Sequence, residues 1–295
     1  MSEFLNSLAT GFGLGSVYGL VALSFSFIYR ATGTFNFAQG QLVTIGSLLA
    51  YTLSVKAGLP VLVTLIILAA TVAVLGGLTE RVAIWPLAGR LDDNNMTWLI
   101  STLGVAVLLT GAAERIWGTV PQGVPNYVGP AVLHFGSGVD VPTPLVVAIV
   151  VAIAMAVAIE LFQRYSLWGK LMRAVADNRR GVELAGINVV TVGLASFTLG
   201  GLLSGIAGMV IAPVTYADST LGFDFVIYAF AAFAIGGFVS HWGALLGGWI
   251  VGCTESLGGV YLGLEYQDVV LFGLLIVVLV LRPEGLIAAR AARRV

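Results

Sequence analysis

In a chain with few ionisable groups, those set inside apolar sequence are the first to examine for chemistry. Glu255 stands in GGWIVGCTESLGG with no other charged residue from 225 to 254. A carboxylate in hydrocarbon is costly unless paired or hydrated. Glu255 therefore reads as an interhelical hydrogen bond, a group on a water-lined pathway, or part of a subunit interface. A second concentration is ATGTFNFAQGQLVTIG, residues 31–46, where Asn36, Gln39 and Gln41 gather between two long apolar runs. Non-helical backbone at membrane depth is tolerated where protein or a water-filled cavity covers it, so these three are candidates to line or gate a pathway. The third is GKLMRAVADNRRGVELAGINVV, residues 169–190, with five charges in eleven residues from Arg173 to Glu183.

Other chemistries lack their residues. Neither lysine, Lys56 or Lys170, sits in a G-x-x-x-x-G-K-[ST] frame, so a P-loop is absent, and there is no H-E-x-x-H. His134 and His241 fall on different predicted loops on opposite sides of the membrane. Cys253, the single cysteine, excludes an internal disulfide and reads as a small packing residue. No catalytic, metal-binding or cofactor-binding set emerges, and an enzyme is not expected.

The elements that must position these residues follow from composition. Of 295 residues, 58% are hydrophobic and 10% charged, against about 25% charged in soluble domains. The net charge of −1 gives no reason to expect nucleic acid. Runs without charge cover 4–29, 31–55, 57–79, 94–113, 141–159, 184–217 and 225–254, with a shorter one at 269–281. A helix crossing the hydrocarbon needs roughly 20 such residues, and strand-type alternation is missing. The expected fold is an all-α polytopic integral membrane protein, a Gly-rich bundle of about eight to ten transmembrane helices treated as one domain over 1–295. Predicted spans are 6–29, 41–56, 60–79, 97–117, 143–163, 191–214, 225–239, 242–262 and 267–282. The opening MSEFLNSLATG has an acid and no base before its apolar run, so it is expected to be retained and not cleaved as a signal peptide.

Lysine and arginine favour cytoplasmic loops. With the 164–190 segment inside, twelve of the fourteen basic residues fall inside, and only Lys56 and Arg115 outside. That predicts an N-terminus outside and a C-terminus in the cytoplasm. The loop 118–142, with four prolines, is expected to be irregular, either a connector or a docking face for an outside partner. Glycines recur four apart, as in Gly15 and Gly19 or Gly243 and Gly247. Such spacing lets helix backbones approach closely. The segment AIGGFVSHWGALLGG, 234–248, interrupts two spans as 31–46 does, a hint of a structural repeat.

In 169–190 the residues Leu171, Met172, Ala174 and Val175 share one helical side, and Asn178 and Gly181 can end that helix. Val182, Leu184 and Ala185 suggest a second apolar face. The segment is a helical elbow at the cytoplasmic surface, either lying against lipid headgroups or docking a soluble partner.

Seven pieces run in order along nearly the full length: GSVYGLVAL at 15–23, FNFAQGQ at 35–41, ERVAIWPL at 80–87, RYSLWGKLMRAVADN at 164–178, LAGIN at 184–188, GGFVSHWGALLGG at 236–248 and EYQDVVLFGLLIVVLVLRPEGL at 265–286. In these the chain resembles the permease subunits of ATP-binding-cassette importers for branched-chain amino acids, a family with relatives for urea and short amides. The resemblance implies a bacterial inner-membrane protein that pairs with a second permease chain, more readily a homologue than itself. Two cytoplasmic ATPase subunits would hold ATP and magnesium, and an extracytoplasmic binding protein would deliver substrate. It implies that Gly169, Arg173, Ala174, Ala176, Asn178, Leu184, Gly186, Ile187 and Asn188 form a coupling loop seated on the ATPase, and that transport proceeds by alternating access. The terminal ARAARRV departs from the pattern and would favour anionic lipid. The competing class is a channel or carrier that works without ATP.

Overall fold

The computed structural model describes residues 2–87, 96–135, 138–238 and 240–287. Every predicted span falls on a helix. In chain order these are α1 (Ser2–Thr32), α2 (Gln39–Ala50, prolonged by a π-helical stretch Tyr51–Lys56) and α3 (Val61–Thr79, prolonged through Glu80–Ile84 and Trp85–Leu87). Then come α4 (Thr97–Trp117), α5 (Thr143–Tyr165), α6 (Leu167–Leu184), α7 (Val189–Thr215), α8 (Leu221–Gly236), α9 (His241–Tyr261) and α10 (Gln267–Leu281). Five of them (α1, α3 with its extension, α4, α5 and α7) are long and apolar enough to cross a membrane by length and hydropathy, while α8 and α10 are shorter apolar helices.

Burial sorts the helices into centre and perimeter. In α1 every residue from Gly15 to Ile28 is buried, whereas α4 buries only Thr102, Ala106 and Ala113, and α10 only Leu271. A helix apolar all round belongs inside a bundle or against lipid. Here α1 takes the first place, and α4 and α10 lie on the perimeter. Small residues make the centre possible. A Cβ on Gly15 would lie 2.4 Å from the Gly248 carbonyl oxygen, and one on Gly247 would lie 2.0 Å from that of Ala232. The helices α1, α8 and α9 therefore pack backbone to backbone. A Cβ on Gly19 would lie 2.9 Å from the Leu245 side chain, and one on Gly243 would lie 2.3 Å from the Gly236 carbonyl. Gly263, four residues after Gly259, lies in the turn before α10 at φ +98°.

The loop 118–142 differs from the irregular segment expected. It contains an antiparallel hairpin, β1 (Val132–Phe135) and β2 (Val139–Pro142), with Val132 opposite Pro142 and His134 opposite Asp140. Four-residue strands bounded by Gly and Pro carry too little alternation to be seen in sequence. The hairpin is tied to α1, since Asn6 Oδ1 accepts from the Asp140 backbone N–H at 2.9 Å.

The helix ends form two groups. At one end lie the close of α1, the α3 extension, the α5–α7 connection, the start of α9 and residues 284–287, whose backbone bonds to the last turn of α8. At the other lie the start of α1, the hairpin, the 216–220 turn and the α9–α10 turn. Among the described residues Arg30, Arg81, Arg164, Lys170, Arg173, Arg179, Arg180 and Arg282 share the first end, and Lys56 and Arg115 the second. Arg90, Arg290, Arg293 and Arg294, also read as cytoplasmic, lie outside the described residues, the last three with the whole ARAARRV tail.

Candidate functional site

The charged island folds as α6, an amphipathic helix that does not run with the bundle's spans. Its inner face buries Gly169, Met172, Val175 and Val182, and Ala174 packs against the core from its edge. Asn178 breaks the helix at φ −155°, ψ 84°, and its Oδ1 accepts from the Gly181 backbone N–H at 2.9 Å. Beyond the kink the outward side is mixed, with Arg179, Arg180 and Glu183 exposed beside Leu184 and Ala185. Leu184 is 84% exposed, because residues 182 and 184 are about 200° apart on a helix, so Val182 can turn inward only with Leu184 outward. The second face expected from Val182, Leu184 and Ala185 is therefore split. The elbow closes at Gly186, whose φ of +80° suits a residue without a Cβ. Asn188 then caps α7, its Oδ1 accepting from the N–H of Val190 at 3.0 Å and, more weakly, of Thr191 at 3.4 Å. Ile187 tucks against the core between them, while Ala176, Asn178, Leu184, Gly186 and Asn188 are exposed.

The root of the elbow is polar and built from four elements. A Cβ on Gly169 would lie 2.4 Å from the Phe162 carbonyl oxygen, so α6 abuts the last turn of α5. Arg173 donates to the Gln163 carbonyl. The Gln163 side-chain Nε2 lies 2.9 Å from Nε2 of His241, whose Nδ1 is 3.4 Å from Arg30 Nη1. Phe27 packs its ring edgewise on the imidazole at 5.6 Å. Arg179 reaches from the second half of α6 to the Thr32 carbonyl at 3.5 Å. The elbow is thus bonded directly to the ends of α1 and α5, and through Gln163 to the start of α9. Of the residues making these contacts the family resemblance marks Gly169 and Arg173. Arg30, Gln163 and His241 were not picked out; the one local signal was a lone cation ending the charge-free run 4–29.

Asn36 and Gln39 occupy the break between α1 and α2, both fully buried. Asn36 Nδ2 donates to Gln39 Oε1 at 2.8 Å, and Asn36 Oδ1 accepts from the Ala38 N–H at 3.1 Å. Gln39 Nε2 donates to the Gly200 carbonyl at 2.6 Å and to Ser204 Oγ at 2.8 Å. The knot joins the α1–α2 corner to α7 and satisfies both amides. Gln41, also buried, is the one of the three whose carbonyl oxygen has no partner among the described residues.

Glu255 lies elsewhere, in the half of α9 away from the elbow. It faces Tyr18, with Asp224 and Asp268 as its like-charged neighbours, and one of its carboxylate oxygens is buried without a partner among the described residues. Tyr228 donates to Asp268 at 2.8 Å, and its ring lies 5.1 Å from that of Tyr18. In the 118–142 loop the Tyr127 hydroxyl is buried without a hydrogen-bond partner in good geometry among the described residues, Ser54 being the side chain that acts on it, and burial pushes that phenol above its ordinary range. Among the described residues no three His, Cys, Asp or Glu side chains converge as a metal would need.

The arrangement is that of a tightly packed membrane bundle with an anchored amphipathic appendage at its basic end. Residues 7–279 match the family described as "Branched-chain amino acid transport system / permease component". The chain is 32% identical to the high-affinity branched-chain amino acid transport system permease protein BraD of Pseudomonas aeruginosa, over 99% of this chain and 98% of that protein. It is 30% identical to the permease protein LivH of Escherichia coli K12 over the same shares. A probable branched-chain amino acid transport permease protein LivH of Methanocaldococcus jannaschii is 29% identical over 90% of this chain and 87% of that one. No solved structure matches the chain. Match and geometry agree, and the chain belongs to the branched-chain amino acid transport permease family.

Proposed function

We propose that this chain is one of the two membrane subunits of an ATP-driven importer, and that it carries branched-chain or similarly apolar amino acids inward. The elbow end faces the cytoplasm and the hairpin end faces outward, as the eight-to-two split of basic residues favours. Two ATPase subunits, which hold ATP and magnesium, act on the elbows of this chain and of a homologous second permease. A binding protein docks on the outer face.

The observation that carries this reading is the construction of α6. A helix that served only as a connector would need neither the exposed Leu184 nor the polar root joining it to α1, α5 and α9. Built this way, a push on the outward side reaches three spans through directional bonds. Nucleotide binding draws the ATPases together, the elbows follow, and the bundle exchanges an outward for an inward opening. Amino acids with apolar side chains suit a bundle with few ionisable residues, and the names of the relatives point the same way.

The test is uptake of radiolabelled leucine, with urea and short amides in parallel. It uses proteoliposomes holding both permeases, the ATPases and the binding protein. ATP-dependent uptake that Arg173→Glu and Gly186→Trp abolish, in permease that remains folded, is the expected result. Uptake that persists without ATP or in both variants refutes the importer and leaves a channel or carrier.

A further inference from the structure

A pocket of about 410 Å³ opens between the end of α1 and the first half of the elbow, lined by Tyr29 to Gly33, Val175 to Asp177 and Arg179. Its floor is rigid, since Tyr29 stacks on Phe35 with ring centroids 4.6 Å apart and planes within 6°. Half-buried in it is the guanidinium of Arg30, whose one polar contact among the described residues is the long one to His241. Among those residues no carboxylate lies within 4.0 Å of it, and Asp177 and Glu160 act on it from farther away. Arg173 is a second cation nearby, and Arg179 is a third at the mouth. A guanidinium partly taken from water with no carboxylate in contact among the described residues, Asp177 of the same pocket acting only from farther away, is incompletely compensated, and its planar fork is shaped for a carboxylate.

We propose that this pocket receives an acidic side chain, an aspartate or glutamate projecting from the cytoplasmic ATPase partner, and that Arg30 with Arg179 is its receptor. The proposal rests on the importer reading above and adds to it a second point of attachment, beside the exposed Leu184 of the elbow. A protein carboxylate fits better than a lipid phosphate because of where the pocket lies. It caps α1, the central helix of the bundle, while the lipid-facing perimeter is formed by helices such as α4 and α10. The mouth is adaptable, because Arg179 is half exposed and held only by long contacts, 3.5 Å to the Thr32 carbonyl and 3.4 Å to Glu183. Rotation of that side chain would bring a second fork onto an entering carboxylate.

Two measurements on the full complex in nanodiscs decide it. First, a photocrosslinking amino acid is placed at Ala176, an uncharged, exposed lining residue, and the products are mapped by mass spectrometry. The expected product is an ATPase peptide with an Asp or Glu within a few residues of the crosslink. Second, binding of purified ATPase to nanodisc-held permease is titrated at several salt concentrations for the wild type and for Arg30→Lys, Arg30→Gln and Arg179→Gln. Loss of a charge-assisted contact weakens Kd roughly tenfold in Arg30→Gln and several-fold in Arg179→Gln. Both should show a flatter salt dependence, with Arg30→Lys closer to the wild type. Melting of each permease alone separates a docking effect from a folding one. If Arg30→Gln is unstable, Arg179→Gln and the crosslink carry the test. If the ATPase binds while Arg179→Gln and any folded Arg30→Gln stay within twofold of the wild type, or the crosslink goes to lipid, the pocket is not the receptor and the importer reading survives. If no ATPase binds wild-type permease, the importer reading itself falls and takes this partner with it.

Discussion

The contact between α1 and α9 makes a demanding prediction because it is made by backbone. A Cβ on Gly248 would sit 2.4 Å from the Gly15 carbonyl oxygen, 2.5 Å from the Gly19 nitrogen and 2.6 Å from the Gly19 Cα. A Cβ on Gly252 would meet the Gly11 carbonyl at 2.3 Å and the Gly15 nitrogen at 2.4 Å. Ordinary contact begins near 3.4 Å, so Gly248→Ala must separate two helices by about 1 Å, and an added gap of that size forfeits a quarter to a half of each neighbouring dispersion contact. No flexible side chain is present to give way. The expected loss is about 3 kcal/mol, the upper part of what overpacking costs. Gly19→Ala meets the Leu245 side chain first, at 2.9 Å, and should cost about 1 kcal/mol. Gly104→Ala and Gly111→Ala on the perimeter helix α4 meet nothing within 4 Å and should be neutral or stabilising by about 0.5–1 kcal/mol. The molecule carries its own reporter. Cys253, the single cysteine, is half-buried on α9 beside Gly252, so a thiol-reactive fluorophore read during heating reports the parting of these helices. An order of melting Gly248→Ala below Gly19→Ala below Gly104→Ala is required. If Gly248→Ala melts with Gly104→Ala, the close packing of α1 on α9 is wrong.

Three further outcomes follow from other contacts. Gln39→Leu leaves the Gly200 carbonyl and Ser204 without their donor; thermal unfolding of the permease should show a loss of about 1–3 kcal/mol. His241→Ala removes the link from Gln163 to α9 and the polar contact of Arg30; in the reconstituted importer, leucine taken up per ATP hydrolysed should fall several-fold while ATP hydrolysis continues, and an unchanged ratio refutes the role given to the root. Tyr127→Phe deletes a buried hydroxyl without a well-formed hydrogen bond among the described residues; it should be neutral or stabilise by about 1 kcal/mol, and a clear loss of melting temperature would mean that the hydroxyl bonds Ser54, the side chain that acts on it.

What could be read in the sequence was whatever depends on neighbours along the chain. Apolar runs gave the helices, glycines four apart gave the close α1–α9 and α8–α9 faces, and Asn178 with Gly181 gave the break in the elbow. What could not be read depends on residues far apart. The elbow root needs Arg30, Gln163, Arg173 and His241, which meet only after four helices have packed. Nor does a polar residue type tell whether its side chain will face water or a carbonyl. Asn36 and Gln39 have the composition of a pathway, yet the groups that bind Gln39 lie 161 and 165 residues further on. Glu255 is the reverse case. Its unpaired oxygen and its like-charged neighbours come from three helices, and its position along α9 alone could not reveal them.

The two kinds of contact also divide the work of the molecule. Backbone-to-backbone packing leaves α1 and α9 almost no freedom to slide, since Gly11, Gly15, Gly248 and Gly252 key successive turns into each other. Arg30 closes α1 and His241 opens α9 at the same end, and these residues touch. A displacement of the elbow delivered through Gln163 would therefore act on α1 and α9 as one body. The polar root can respond because its bonds are few and some are long, at 3.4 and 3.5 Å. Stiffness in the centre and compliance at the root are what a device moved from one end requires. Reversing them, with a loose α1–α9 contact and a root cross-linked to rigidity, would dissipate the same displacement before it reached the far end of the bundle.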